Sequence, residues 1–235
     1  MRRNKVHCTF CLTSLRPVLN WTSLFAEQKS ELLCEECKSK LEFITGSRCS
    51  ICSRPFSRID SEYIRGSLCL DCYKWEQDPQ WKGVLDGNTS IFVYNDFLKE
   101  IIALFKYRGD HKVAGAFAAY FPKKTARGRV VSPIPLSEER LYERGFNQSE
   151  AILAYTHLGY KQLLSRVHGD KQSKISRQER LENTAVFSAA NIEGCHAQHV
   201  LLVDDIYTTG ATVRQAAKVL KNAGANTVIS FTVAR

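Results

Sequence analysis

Long apolar runs are missing from this chain. No stretch approaches the roughly 18 uncharged apolar residues that a membrane span needs, and the opening residues MRRNKVHC lead into no apolar segment of signal-peptide length. The expectation is a cytoplasmic protein with no transmembrane segment. Low-complexity tracts are absent as well. No Ser-His-Asp or Cys-His arrangement offers a covalent nucleophile, and His168 and His196 have no partner at a suggestive spacing. Nor is a helix-turn-helix readable, which argues against use as a transcription factor.

What is present is a chain of 235 residues, 44% of them apolar. That suffices for one domain of ordinary size plus a smaller unit. The formal net charge of +9 points to acidic partners: phosphates, nucleic acid or an anionic surface. If eight cysteines held two zinc ions as thiolates, the charge would fall to about +5, a value that solvated lysine-rich faces explain equally well.

Eight of the nine cysteines lie between residues 8 and 72. A small metal-binding region over residues 1–80 is therefore expected, followed by a second domain over 81–235. The sequence C-x-x-C occurs at Cys8/Cys11, Cys34/Cys37, Cys49/Cys52 and Cys69/Cys72. Each pair sets two thiolates on one tight knuckle, and two knuckles complete a tetrahedral four-sulfur zinc site, closed to substrate and hence structural. Two Zn²⁺ are expected. A redox C-x-x-C would open a helix after an apolar strand, and none of the four does. Sequential pairing of the knuckles is the simpler arrangement, though spacing leaves a cross-brace open. Cys195, alone beside His196, reads as an ordinary half-buried residue. Arg48, Arg54, Arg58 and Arg65 surround the last two knuckles with Phe56 and Tyr63 among them. That mixture suits stacking on bases and neutralising phosphates, and it equally suits a solvated rim.

Residues 75–87 form a connector whose Trp75 and Trp81 can dock it on a neighbour. Beyond it strands and helices alternate. SIFVYN (90–95) reads as a strand, 96–110 as a helix capped by Asp96 and stopped by Gly109, and HKVAGAFAAYF as a second helix. VVSPIP follows as a buried strand broken by Pro133 and Pro135, then 138–156 as one helix and 162–167 as a strand. HVLLVDD, ATVRQAAKVLKNAG and TVISFTVA close the chain as strand, helix and strand. The fold class is α/β, a parallel sheet flanked by helices.

One segment carries chemistry. LLVDDIYTTGAT (201–212) delivers Asp204 and Asp205 at the carboxyl end of a buried strand, where open parallel sheets bind ligands. Burying two carboxylates there is costly unless they accept ribose hydroxyls or reach Mg²⁺. Tyr207, Thr208, Thr209, Gly210, Ala211 and Thr212 then form a turn opening a helix, whose free N–H groups can cradle a phosphate.

This segment resembles the phosphoribosyl-pyrophosphate loop of type I phosphoribosyltransferases. Together with SIFVYNDFLKEIIALFKYRGD, PIPLSEERLYERGFNQSEAI and the cysteine knuckles, the chain resembles the ComF family of competence-related proteins along nearly its whole length. The resemblance implies a type I phosphoribosyltransferase fold with Mg²⁺ and phosphoribosyl pyrophosphate bound at 204–212. It implies that PIPLS (133–137) is the pyrophosphate loop and that Arg144 and Asn147 of RGFNQ contact phosphate or ribose, unless they only cap the following helix. It further implies a mobile catalytic loop over 168–183, where Lys174, Arg177 and Arg180 are candidates to close over pyrophosphate. The catalytic candidates are thus Asp204, Asp205, Lys174 and Arg177. Two functions compete: a DNA-uptake protein that binds single-stranded DNA, joined through partners such as an uptake helicase to a membrane complex, and an active phosphoribosyltransferase of nucleotide or cofactor salvage with an unread acceptor.

Overall fold

The computed structural model of the chain describes residues 7–15, 32–107, 111–167 and 186–235. Its centre is a sheet of four parallel strands. These are β3 (Gly87–Phe92), β4 (Val130–Pro133), β7 (His199–Ile206) and β8 (Thr227–Ala234), in the order β3-β8-β7-β4. In β7 the apolar run has both faces to fill: Leu201 and Val203 enter one hydrophobic cluster, Val200 and Leu202 the other. Strands buried on both faces need such near-continuous apolar sequence. Pro133, which cannot donate a ladder hydrogen bond, sits at the end of β4, an edge strand.

Helices cover both faces. α3 (Asp96–Tyr107), α4 (His111–Ala118) and α6 (Gln148–Thr156) pack on one, and α7 (Ala211–Asn222) on the other. Two helix calls need correction. Asn95, not Asp96, caps α3: its Oδ1 accepts from the Leu98 N–H at 2.9 Å, because an N-cap side chain reaches the third residue of the helix. Second, 138–156 is two helices, α5 (Glu138–Arg144) and α6. Gly145 takes the left-handed conformation at φ 75°, and Asn147 restarts the chain by accepting from the N–H groups of Ser149 and Glu150. The expected stop at Gly109 lies outside the described residues.

The cysteine-bearing segments do not stand apart from this core. Cys8, Phe10, Leu33, Cys37 and Leu41 share a cluster with α3 and α4, while Cys49, Cys52, Cys69 and Cys72 share the other with α7. Two short helices carry cysteines or lie beside them: α1 (Glu35–Ser39) and α2 (Leu70–Gln77), the second following the two-stranded ribbon of β1 (Ile64–Arg65) and β2 (Leu68–Cys69). Around Cys52 the docking onto the sheet is polar. The Ser53 hydroxyl donates to the Asn88 carbonyl at 2.6 Å, Ser230 donates to Asn88 Oδ1 at 2.8 Å, and Ser90 and Thr232 pair at 2.7 Å. Buried polar groups satisfied in this way fix orientation as apolar packing does not. A small antiparallel pair, β5 (Leu164–Arg166) with β6 (Phe187–Ala189), brackets residues 168–185.

Candidate functional site

The cysteines assemble into two groups of four. Cys8, Cys11, Cys34 and Cys37 bring their sulfurs within 4.8 Å of one another, as do Cys49, Cys52, Cys69 and Cys72. The knuckles therefore pair sequentially, and the cross-brace is eliminated. Cys11 and Cys34 sulfurs lie 3.6 Å apart, as do those of Cys52 and Cys69. A tetrahedron with metal–sulfur bonds of about 2.3 Å has edges of about 3.8 Å, so the sulfurs fit a metal ion and are too far apart for disulfides. The Cys11 sulfur lies 3.2 Å from the Thr13 hydroxyl. Cys195 joins neither group and is fully buried, not half-buried as expected.

At the carboxyl ends of β4 and β7 lies a cavity of about 220 Å³. Asp204 and Asp205 form one wall, Thr208 and Thr212 of the following turn a second, and Ile134, Pro135 and Leu136 a third. Burial first, and the adjacent Asp205 second, push the Asp204 carboxyl up to about 7. Asp205 is held by the Lys106 ammonium at 2.7 Å. Asp204 is thereby poised to lose its proton when a cation arrives.

Cations complete the cavity. Arg140, Arg144 and Arg166 line it with Lys106, and none of the three arginines pairs with a carboxylate among the described residues. Burial first, and then Arg140, lower the Arg166 guanidinium, with the Asp204 carboxylate opposing them. Three of these four lining residues, Lys106, Arg140 and Arg166, were not singled out in the sequence, and neither were Gln148 and Ser149. Each sits outside the D-D-x-x-T-T-G run and reaches the site through the fold.

Gly210 adopts φ 83° at the start of α7, and a Cβ there would collide with the Tyr207 ring. Only glycine suits the position. Tyr207 differs from its neighbours: its ring turns inward, 2% exposed, and supports the turn from beneath instead of lining the cavity. Ala211 opens α7, and Thr209 faces a separate recess of about 350 Å³ shared with Asp71, Lys74, Trp75 and Asp78.

Arg144 lines the cavity, its Nη1 donating to Gln148 Oε1 at 2.9 Å. Asn147 acts one layer back. Besides capping α6, its Nδ2 donates to the Ile134 carbonyl at 3.0 Å and so ties the helix to the PIPLS loop. Lys174, Arg177 and Arg180 lie outside the described residues.

The four arginines around the second cysteine group have partners within the chain. Arg54 pairs with Asp71 at 2.7 Å and Arg58 with Glu42. Arg65 donates to the carbonyls of Glu62 and Ile64, and Arg48 to that of Ile44. Phe56 packs into the hydrophobic cluster beneath, while Tyr63 stays exposed.

Residues 164–235 match the phosphoribosyl transferase domain. The parallel sheet with its two cysteine groups is thus a type I phosphoribosyltransferase fold carrying a cysteine-rich addition. Competence protein ComFC of Bacillus subtilis (strain 168) is 35% identical over 238 residues, covering 99% of this chain and 96% of that protein. Competence protein ComFC of Streptococcus pneumoniae (strain ATCC BAA-255 / R6) is 30% identical over 234 residues, covering 97% and 99%. Among solved structures, an allosteric regulatory enzyme of purine biosynthesis overlays 54% of this chain and 25% of its own, at 20% identity and a TM-score of 0.37. No helix among the described residues is long and apolar enough to cross a membrane. With curated relatives at this identity along nearly its full length, the chain belongs to the ComF family.

Proposed function

We propose that this chain is a competence protein of DNA uptake that binds Mg²⁺-phosphoribosyl pyrophosphate at 204–212 and single-stranded DNA elsewhere. The observation that carries the first part is the meeting of Asp204 and Asp205 with Lys106, Arg140, Arg144 and Arg166 in one cavity at the strand ends. Asp204 and Asp205 accept the ribose hydroxyls or hold Mg²⁺. The N–H groups at the start of α7 take the terminal phosphate, and the arginines with Lys106 face the pyrophosphate. Mg²⁺ would supply further neutralisation of the charge on pyrophosphate. Lys174 and Arg177 are proposed to close over it and exclude water. The eight cysteines are proposed to hold two structural zinc ions, with a boundary near residue 80 between the cysteine-rich region and the phosphoribosyltransferase domain.

The DNA part rests on the family and on the basic balance of the chain. Arg48, Arg58 and Arg65, all exposed, are proposed as phosphate contacts together with the half-buried Arg54, with an uptake helicase as protein partner. Salt-dependent fluorescence anisotropy on labelled single strands tests this. Charge reversal at Arg54 and Arg58 is expected to weaken binding, and no anisotropy change at low salt would contradict it.

The second reading is an active phosphoribosyltransferase, favoured by intact Asp204, Asp205 and Gly210. Pyrophosphate release across a panel of amines and bases, with and without DNA, separates the two. Release with any one acceptor supports the enzyme; none throughout supports a binding role.

A further inference from the structure

The turn at 207–210 is held by two side chains that do not line the cavity, Arg235 and Trp75. Arg235 follows β8, and its backbone is fixed on both sides: its N–H donates to the Phe92 carbonyl and its carbonyl accepts from the Tyr94 N–H, each at 3.0 Å. From there its Nη1 donates to the Thr208 carbonyl at 2.7 Å and the Tyr207 carbonyl at 3.3 Å, while its guanidinium lies 5.1 Å from the Tyr207 ring centre. Trp75 of α2 donates its indole N–H to the Thr209 carbonyl at 3.3 Å. The indole is itself set in place. Arg214 of α7, fully buried, lies 5.1 Å from its ring centre and pairs at 3.2 Å with Glu76, the next residue of α2. Three consecutive carbonyls of the turn are thus taken by donors from outside it.

Covalent geometry fixes the other side of those peptide groups. A trans peptide is planar, and its N–H points away from its C=O. Holding the carbonyls of Tyr207, Thr208 and Thr209 toward Arg235 and Trp75 therefore turns the N–H groups of Thr208, Thr209 and Gly210 away from those two side chains. None of the three N–H groups meets an acceptor among the described residues. Gly210 ends the series in the left-handed conformation at φ 83°, and successive N–H groups closed by a left-handed residue make an anion-binding concavity. The turn borders the cavity through Thr208 and Thr212. Free donors with occupied acceptors suit it to an anion.

We infer that Arg235 and Trp75 are positioning residues: by occupying the carbonyls of Tyr207, Thr208 and Thr209 they hold the next three N–H groups open to the phosphate of a sugar phosphate. Neither side chain touches the ligand. This rests on the reading of the turn as a phosphoribosyl-pyrophosphate site, and adds to it what keeps the turn in its binding form before ligand arrives. Without Arg235 the first two peptide groups lose their restraint, and binding must then order the turn as well as fill it. Trp75 brings α2, which carries Cys72, into the upkeep of a site built on β7 and α7.

Titration calorimetry on the full chain with two probes separates positioning from general damage. Ribose 5-phosphate probes the turn. Mg²⁺-pyrophosphate probes the cationic wall of Lys106, Arg140, Arg144 and Arg166, to which neither side chain contributes. Arg235→Gln should weaken ribose 5-phosphate about tenfold, the worth of one hydrogen bond from a charged donor, and leave Mg²⁺-pyrophosphate unchanged. Arg235→Lys should recover part of the loss, because an ammonium keeps the charge without the planar fork. Trp75→Phe keeps an aromatic ring and loses the bond to Thr209, so it should weaken the same probe by a smaller factor even if Arg235→Gln folds poorly. Unchanged ribose 5-phosphate affinity in both variants, or an equal loss for both probes, would overturn the inference. Nitrogen-15 relaxation adds a reading that needs no ligand. Amide order parameters at 208–210 should fall from about 0.85 to below about 0.6 in Arg235→Gln while those of β7 hold. If the parent does not bind ribose 5-phosphate, the site reading fails instead. In that case a fall in the order parameters still supports the hold on the turn, and no change rejects it.

Discussion

At the scale of single residues, Asp204 and Gly210 carry the sharpest consequences. Burial raises the Asp204 carboxyl from 3.8 to about 7, so the folded protein holds this proton more tightly than the unfolded chain. Its contribution to stability is fully present below pH 4 and is lost as pH rises through about 7. Asp204→Asn, which cannot ionise, should gain stability relative to the parent across that window, read as the difference in urea midpoints between pH 4.5 and pH 8. A constant difference would mean the carboxyl is not held protonated. Gly210→Ala should cost about 1–3 kcal/mol at its left-handed φ and should also displace the Tyr207 ring. The expected outcome is a lowered melting temperature together with weakened ligand binding. Tyr207→Phe removes a buried hydroxyl that has no partner and should leave stability unchanged or slightly raised. The two aspartates and the glycine were legible in the sequence because one short run carries them. Lys106, Arg140 and Arg166 were not, because α3, α5 and β5 bring them together across intervals that no local pattern marks.

At the scale of elements, the break between α5 and α6 organises one side of the site. Gly145 ends the first helix and Asn147 begins the second, and the bend sets Arg144 in the cavity wall. The stretch read as one helix because Glu138–Arg144 and Gln148–Thr156 are separated by only three residues. The punctuation was there in Gly145 and Asn147, a C-terminal glycine followed by an N-cap. The Asp96 assignment failed in a similar way, since Asn95 and Asp96 are both good caps and only geometry chooses between them. Asn147→Ala should cost about 1–2 kcal/mol, since it loses the cap and also the bond to the Ile134 carbonyl. Asn147→Asp keeps the acceptor of the cap and should cost less. Chemical denaturation of the two variants measures the difference, and equal losses would deny the tie to the PIPLS loop a role.

At the scale of the whole molecule, the strand and helix alternation and the four knuckles were readable, because periodicity and C-x-x-C spacing are local signals. How the cysteine groups sit was not, since nothing in the spacing says that each belongs to a different face of the sheet. Both hydrophobic clusters contain cysteines of the two groups. Metal removal should therefore destabilise the whole chain, lowering the temperature of a single unfolding transition by scanning calorimetry. A separate early transition with the later one unmoved would mean that the cysteine region melts on its own. The central claim is that Asp204 and Asp205 make the strand-end cavity a sugar-phosphate site. Its most direct test is titration calorimetry of Mg²⁺-phosphoribosyl pyrophosphate into the parent and the Asp204→Ala/Asp205→Ala double variant. Magnesium-dependent binding to the parent that is lost in the variant is the predicted result; equal affinity in both would contradict the account.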